Sequence, residues 1–207
     1  MNVILDLLFP PKCVFCGRLL KKWEHDFCAD CYYDLPETDT IRKIPRTEGC
    51  IAPLRYEGNA RNAILRFKFN GHSYYAPAFG RLMAARLSGC KADLITWIPV
   101  SRRRRLERGY DQAELLARAV SKQLSLPCVR LLRKRHTKKQ SQTGDLAARN
   151  ANISGAFTAL RPKTLAGKHI LLIDDICTTG ATLREAAETL QLSGAAQISC
   201  AVLAITE

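Results

Sequence analysis

One stretch of thirteen residues, 170–182, constrains the fold more than any other part of the sequence. Its apolar start, Ile170–Ile173, predicts a strand that is buried on both faces, as in a parallel sheet. Asp174 and Asp175 follow directly, at the strand end where open α/β sheets bind their ligands. Small and hydroxyl-bearing residues then open a predicted helix. The chain is therefore expected to place acidic groups and a helix N-terminus at one edge of a parallel sheet.

The same stretch predicts a ligand that carries both a phosphate and hydroxyl groups. Backbone N–H groups and the helix dipole at a helix N-terminus favour a phosphate. A ribose 5-phosphate would fit, with its 2′- and 3′-hydroxyls on Asp174 and Asp175. The alternative is an ordinary strand-loop-helix connection that begins with acidic residues. The residues predicted to hold the phosphate are Cys177, Thr178, Thr179, Gly180, Ala181 and Thr182.

Strands and helices alternate along the chain after residue 50, which predicts a parallel α/β sheet. The clearest helix starts at Asp111, a good N-cap residue with Glu114 three positions later. Residues 133–152 carry much charge and little apolar periodicity, which indicates a loop. The predicted strands are 52–56, 94–100, 128–132, 169–174 and 198–205, and the other predicted helices are 1–8, one from Gly58, 75–88 and 181–193.

Four of the nine cysteines form two pairs, Cys13-x2-Cys16 and Cys28-x2-Cys31. This spacing lets both thiolates of a pair face one centre, and the second pair completes a tetrahedral shell around zinc. A four-cysteine shell has no open position, so the predicted site is structural rather than catalytic. A redox-active pair is the alternative. The aromatic residues expected to be buried beside the zinc are Phe15, Trp23, Phe27, Tyr32 and Tyr33.

Positive charge is concentrated in the middle of the chain. The net charge is +13, yet residues 51–150 alone carry 21 basic and 6 acidic residues. A localised basic field suits a polyanion such as nucleic acid or pyrophosphate, and the alternative is a solvated face kept for solubility. Tyr74 and Tyr75 could add base stacking. The residues predicted to bind nucleic acid are Arg104, Arg105, Arg108, Arg133, Lys134, Arg135, Lys138 and Lys139.

Two families share these patterns. Residues 170–182 resemble the phosphoribosyl pyrophosphate (PRPP) signature of type I phosphoribosyltransferases at all thirteen positions. Residues 104–117 are similar to the Arg-Gly-Phe-Asn-Gln segment of the ComF/GntX family, with Tyr110 in place of Phe and Asp111 in place of Asn. The loop 135–157 and the four paired cysteines also match that family, so the resemblance covers nearly the whole chain.

The resemblance implies a type I phosphoribosyltransferase-like domain, with a parallel α/β sheet, preceded by a small zinc module. Such transferases displace pyrophosphate from PRPP with a nitrogenous base and use magnesium. ComF-like proteins are associated with natural competence, in which incoming single-stranded DNA is taken up. The implied partners are PRPP, single-stranded DNA and a competence helicase or recombination mediator. The implied pyrophosphate loop consists of Val100, Ser101, Arg102 and Arg103.

Three functions remain open at this point. The protein could be an accessory of DNA uptake that binds single-stranded DNA and PRPP, a transferase of nucleobase salvage, or a PRPP-sensing regulator without chemistry. The basic middle of the chain and the zinc module favour the first, because a salvage enzyme needs neither. The sequence marks no base-recognition hood and no catalytic residue. Lys68, among alternating basic and aromatic residues, is a phosphate contact or a surface lysine.

Length and composition bound the architecture. A chain of 207 residues with 47% apolar and 25% charged residues is globular. We expect a zinc module over residues 1–35, a linker over 36–50 and a phosphoribosyltransferase-like domain over 51–207. No apolar run approaches the ~20 residues of a membrane helix, and the start of the chain has no basic leader. The protein is therefore expected to be cytoplasmic and not inserted into a membrane.

Overall fold

Two long parallel strands form the centre of the fold. The computed structural model describes residues 10–135 and 155–206. In it, β7 (His169–Cys177) and β8 (Gln197–Ile205) lie side by side along their full length, and β4 (Leu94–Trp97) is parallel to β7 on its other side. Most residues of these strands are buried, as expected where helices cover both faces of a parallel sheet. The predicted parallel α/β sheet is confirmed.

Within residues 10–135 and 155–206, five short strands lie outside this centre: β1 (Ile41–Arg42), β2 (Cys50–Ile51), β3 (Leu54–Arg55), β5 (Leu132–Lys134) and β6 (Phe157–Ala159). β2 and β3 are both parallel to β8, at successive positions along it, and β1 is antiparallel to β2. The order across the main sheet is therefore β1-β2-β8-β7-β4. β5 and β6 form a separate antiparallel pair.

The described helices are α1 (Ala29–Tyr33), α2 (Gly58–Phe69), α3 (Ala76–Arg86), α4 (Arg102–Arg108), α5 (Gln112–Leu124), α6 (Pro162–Leu165) and α7 (Ala181–Leu192). α3 packs on α5, which in turn contacts β4 and β7. α7 contacts β6, β7 and β8. None of the described helices is long and apolar enough to cross a membrane.

Successive residues of β7 point into two apolar layers, one on each face of the sheet. Leu171 and Ile173 pack in one layer with α5, whereas Ile170 and Leu172 pack in the other with α7. This is the two-residue period of a strand buried on both faces. Phe15, from the zinc module, belongs to the layer that contains α5. The module and the sheet domain therefore share one apolar core.

The segment predicted as a linker, residues 36–50, takes part in the sheet. It contains β1 and the start of β2, and its Glu48 N–H donates to the Ile198 carbonyl at 2.8 Å. Ile44 and Cys50 are buried. Backbone hydrogen bonds thus hold this polar segment at the edge of the sheet. The domain boundaries at residues 35 and 50 stay predictions.

Two local predictions differ from the structure. The strand predicted over 128–132 is mostly wrong, because Cys128 makes only one bridge to Ile95 and β5 begins at Leu132. The Thr96 hydroxyl accepts from the Leu131 N–H at 3.2 Å, so a side chain takes the place of a partner strand. The predicted helix 1–8 and most of the predicted loop lie outside the described residues.

Helix α4 was not predicted, because its arginine-rich sequence lacks apolar periodicity and buries no residue. Local signals define its ends. The Ser101 hydroxyl accepts from the Arg104 N–H, which is an N-cap hydrogen bond. Gly109 ends the helix in the left-handed conformation, at φ +80°, which glycine adopts without steric cost.

Close packing of α3 on α5 generates the first prediction. A Cβ added at Gly80 would overlap Ala119, so Gly80→Ala is expected to overpack this contact. The expected loss is ~1–3 kcal/mol in the free energy of unfolding, measured by urea denaturation. The double variant Gly80→Ala/Ala119→Gly makes room again and is expected to recover part of that loss. Full stability of the single variant would contradict the close approach of the two helices.

Candidate phosphate site and zinc module

The loop between β7 and α7 has the geometry of a small anion site. β7 ends at Cys177 and α7 begins at Ala181, with Gly180 at the N-cap in the left-handed conformation, φ +76°. Thr178, Thr179 and Thr182 are exposed, so their hydroxyls can reach a ligand. The loop encloses a cavity of about 30 Å³ that is lined by Asp174, Ile176 and residues 177–183. The cavity has room for about one water molecule, and the exposed hydroxyls extend the site beyond it.

Cys177 contributes to this loop differently from the threonines. Its side chain is 2% exposed and packs in the apolar layer of α7, at the base of the small cavity. A hydrogen bond from Cys50 is the largest of the effects that lower the pKa of Cys177 to about 7. The Cys177 carbonyl accepts from the Thr206 N–H at 3.0 Å. The residue anchors the start of the loop.

The two carboxylates after the apolar part of β7 form a half-buried acid pair. Asp174 accepts from the Asp175 N–H at 2.8 Å through Oδ1. Burial, and then the neighbouring Asp175, raise the pKa of Asp174 well above its ordinary value. Lys68 of α2 places its Nζ 3.0 Å from Asp175 Oδ1, and both side chains are less than a fifth exposed. A single ammonium group thus offsets the mutual repulsion of two carboxylates.

The predicted pyrophosphate loop lies at the same edge of the sheet. The Ile98 N–H donates to the Ile173 carbonyl at 2.9 Å, so the residues after β4 lie beside the acid pair. Val100 N–H donates to Asp111 Oδ2 at 3.0 Å, and the Ser101 hydroxyl caps α4. Arg102 is exposed without an ion-pair partner among the described residues, which leaves its guanidinium available to a ligand.

Asp111 holds this loop against α5. Its Oδ1 accepts from the Glu114 N–H at 3.2 Å, which confirms the predicted N-cap, while Oδ2 accepts from Val100. Burial raises the pKa of Asp111. The neighbouring Tyr110 donates its hydroxyl to the Phe67 carbonyl on α2. Tyr110 and Asp111, the two residues that differ from the family segment, therefore fix secondary-structure elements to one another. Asp111 does so through both of its carboxylate oxygens.

The four paired cysteines meet at one point. Their sulfurs all lie within 4.8 Å of one another, and Cys16 Sγ is 3.7 Å from Cys28 Sγ. A tetrahedral site with Zn–S bonds of ~2.3 Å separates its sulfurs by roughly 3.8 Å, so zinc fits this cluster. Burial raises the pKa of Cys28, but hydrogen bonds from the Cys31 N–H and then Arg18 outweigh it and lower this pKa to about 7. Burial raises the pKa of Cys16 and Cys31, so the support for structural zinc comes from the geometry of the cluster.

The zinc module is joined to the sheet domain through α2 and α3. Arg66 Nη2 donates to the carbonyls of Val14 and Phe15, at 3.2 and 2.5 Å, within the first cysteine knuckle. The Phe15 ring lies 6.2 Å from that of Phe79 on α3. The module is therefore fixed to the helix that also carries Lys68.

Comparisons with known proteins agree with this two-part architecture. Residues 111–206 match the phosphoribosyl transferase domain family, and residues 4–43 match the double zinc ribbon domain family. Competence protein ComFC of Bacillus subtilis (strain 168) is 31% identical over 187 residues, which cover 89% of this chain and 73% of that protein. The chain belongs to the ComF family.

Two further similarities are to a curated protein and to a solved structure. DNA utilization protein YhgH of Escherichia coli (strain K12) is 28% identical over 200 residues, which cover 90% of this chain and 86% of that protein. Among solved structures, adenine phosphoribosyltransferase from Thermoanaerobacter pseudethanolicus is 15% identical with a TM-score of 0.42, and the match covers 67% of this chain and 84% of that one. The expected membership of the ComF family is confirmed by the curated relatives.

The basic residues predicted for nucleic acid lie on two different elements of the ComF-family fold. Arg104 and Arg105 are exposed on α4, and Arg108 is partly buried at its end. Arg133 and Lys134 are part of β5. Arg135 follows that strand and donates to the Thr158 hydroxyl at 2.8 Å. Lys138 and Lys139 lie outside the described residues.

Several aromatic residues differ from expectation. Phe15 is buried as predicted, but Trp23, Tyr32 and Tyr33 of the zinc module are 64%, 55% and 85% exposed, so their predicted burial was wrong. The module is too small to enclose all five rings. Tyr75 is buried, which removes it from the candidate stacking residues.

Sequence reasoning missed two residues that cover the phosphate loop. Arg42 donates to the carbonyls of Thr178 and Thr206, and Ile44 packs over Gly180. Both come from the segment that was predicted as a linker. No local signal could have identified them, because their contacts span more than 130 residues of chain.

The cysteine cluster generates the second prediction. Purified without chelator, the ComF-family chain is expected to hold one zinc ion, and Cys28→Ser is expected to lose it because four thiolates complete the shell. Elemental analysis measures the metal, and far-ultraviolet circular dichroism checks that the α/β domain stays folded. Cys90→Ser, which lies outside the cluster, is the matched control and is expected to keep its zinc. Zinc-free wild-type protein would contradict the site.

Proposed function

We propose that this ComF-family protein binds PRPP at the carboxyl end of β7 and binds single-stranded DNA on its basic surface, in the course of DNA uptake. One observation carries the PRPP part. The acid pair, the phosphate loop and the loop after β4 meet at one edge of the sheet, in a chain that matches the phosphoribosyl transferase domain family. The relatives named for competence and DNA utilization support the biological setting.

In this proposal each group of PRPP meets its own part of the site. The 5-phosphate lies against residues 178–182, where N–H groups and hydroxyls can donate to it. The ribose hydroxyls donate to the acid pair, and the pyrophosphate lies beside Val100 and Arg102. A hydroxyl that donates to Asp175 competes with the ammonium of Lys68, which is 3.0 Å away. Lys68 is then available to the negative charge of the pyrophosphate.

The donor set of the site also suits magnesium. The oxygens of Asp174 and Asp175, together with those of a pyrophosphate, are the hard ligands that this ion prefers. Bound there with PRPP, magnesium would supply charge neutralisation to the pyrophosphate. The half-buried acid pair and Lys68 are the groups of this chain that would set its place.

The third prediction tests the acid pair. Asp174→Asn/Asp175→Asn is expected to abolish measurable PRPP binding by calorimetry in the presence of magnesium, because both negative charges are lost and each amide keeps only one acceptor oxygen for the ribose hydroxyls. The matched control is Asp34→Asn/Asp39→Asn, which removes two exposed carboxylates outside the site and is expected to leave PRPP affinity unchanged. Equal affinity in all three proteins would remove the assignment of the site. Thermal denaturation verifies that each variant is folded.

The same samples separate the alternative functions. Incubation with PRPP, magnesium and a panel of free bases is expected to release no pyrophosphate if PRPP is a ligand or regulator. Release that depends on one base would favour the salvage transferase. PRPP binding without any affinity for DNA would favour the regulator.

Single-stranded DNA binding rests on exposed cations that lack acidic partners. Arg104 on α4, and Arg133 and Arg135 at β5, have no carboxylate partner in the part of the chain that the structure describes. Other arginines are already paired, such as Arg46 with Glu188. Unpaired cations bind the phosphate backbone by releasing its counterions, so they carry the salt dependence of affinity.

The fourth prediction follows from the difference between arginines with and without a carboxylate partner. Removing three unpaired cations, as Arg104→Ala/Arg133→Ala/Arg135→Ala, is expected to lower the slope of log affinity against log salt by about 2, at ~0.7 per phosphate contact on a single strand. Fluorescence anisotropy with a labelled oligonucleotide measures the slope.

The control for this prediction removes the same charge from arginines that are paired with carboxylates. Arg46→Ala/Arg55→Ala/Arg118→Ala changes three such residues and is expected to alter the slope less. An equal change in both triple variants would show that net charge, rather than these positions, governs binding.

A further inference from the structure

An exposed aromatic ring follows Lys68 at the end of α2. Phe69, the last residue of α2, follows Lys68 directly and is 61% exposed. The guanidinium carbon of Arg108 lies 4.6 Å from the centre of the Phe69 ring. This is the distance of a cation–π contact, so a planar cation rests on one part of an otherwise accessible aromatic ring. We refer to these two residues as the Phe69–Arg108 stack.

The stack is held in place by partly buried hydrogen bonds. Arg108 Nη1 donates to Gln112 Oε1 at 3.0 Å. Gln112 is fully buried and donates from Nε2 to the Lys68 carbonyl at 3.1 Å. The chain of contacts returns to α2, one residue before Phe69. The ring and the guanidinium therefore belong to one fixed arrangement, although both reach the surface.

A basic surface leads to the stack. Arg108 is the last residue of α4, and the helix begins with four consecutive exposed arginines at 102–105. Arg102 and Arg104 have no ion-pair partner within residues 10–135 and 155–206. A helix of seven residues is ~10 Å long, so these cations lie within about a helix length of the stack.

We propose that the Phe69–Arg108 stack binds one base of a single-stranded nucleic acid whose phosphates lie along α4. This inference rests on the proposed DNA binding and names the place where a base, rather than the backbone, is held. An aromatic ring beside a track of cations is the arrangement by which proteins bind single strands without reading their sequence. Lys68, the residue before Phe69, contacts Asp175, so one turn of α2 carries a residue of each proposed site.

The test separates base contacts from backbone contacts. Affinities are measured by fluorescence anisotropy for a 12-nucleotide oligothymidylate and for an abasic strand of the same length. Phe69→Ala is expected to weaken binding of the oligothymidylate by roughly 5- to 100-fold, the loss of one stacked base. Binding of the abasic strand, which retains only sugar and phosphate, is expected to stay within twofold. Phe69→Trp keeps a ring and is expected to retain the preference for bases.

Controls make each outcome decisive. Trp23→Ala in the zinc module removes another ring of similar exposure, 64%, that also lies beneath a cation, Lys21, and is expected to leave the preference for bases unchanged. Adenosine monophosphate at millimolar concentration is expected not to displace the oligothymidylate, because it lacks the flanking phosphates. Displacement from wild-type protein but not from Phe69→Ala would assign the stack to a free nucleotide and overturn the proposal.

Two further results would overturn it in distinguishable ways. If Phe69→Ala alters the affinity of both strands equally, or of neither, the stack holds no base, while salt-dependent DNA binding still stands. If wild-type protein binds neither strand at low salt, the proposed DNA binding itself fails. Circular dichroism of Phe69→Ala verifies that the exposed substitution leaves the fold intact.

Discussion

The ion pair between Lys68 and Asp175 is the interaction on which the site depends. Two adjacent carboxylates at the end of a buried strand repel each other, and burial already raises the pKa of Asp174. A cation 3.0 Å from Asp175 makes this arrangement tolerable in the absence of ligand. The same cation comes from a helix and not from the sheet, so the position of α2 determines whether the acid pair is balanced.

The last turn of α2 consequently connects four parts of the molecule. Its residues 66–69 each face a different partner, because successive side chains of a helix point about 100° apart. Arg66 donates to the first cysteine knuckle, and the Phe67 ring lies 6.1 Å from that of Tyr110. Lys68 contacts the acid pair, and Phe69 contacts Arg108. The alternation of basic and aromatic residues in the sequence reflects this division of contacts.

Signals that act over a few residues could be predicted from the sequence. β7, the start of α7, the cap at Asp111 and the double cysteine spacing are local patterns, and the structure contains all of them. The features that were not predicted depend on contacts between residues far apart in the chain, or lack a periodic pattern of apolar residues. Arg42 reaches Thr178 across the edge of the sheet, and α4 has no apolar face to mark it. The exposure of Trp23 depends on how little surface the zinc module can bury, which its composition does not reveal.

The zinc module has a consequence for the phosphate site that follows from where Arg66 binds. The carbonyls of Val14 and Phe15 lie between Cys13 and Cys16, so zinc binding fixes the very backbone groups that hold Arg66. Two residues later, Lys68 extends from the same helical turn to Asp175. A knuckle that loses its metal would release one tether of that turn, while Tyr110 and Gln112 still hold its other side. A bound metal would therefore act on the acid pair only through the position of α2, because no cysteine of the cluster contacts Asp174 or Asp175 among the described residues.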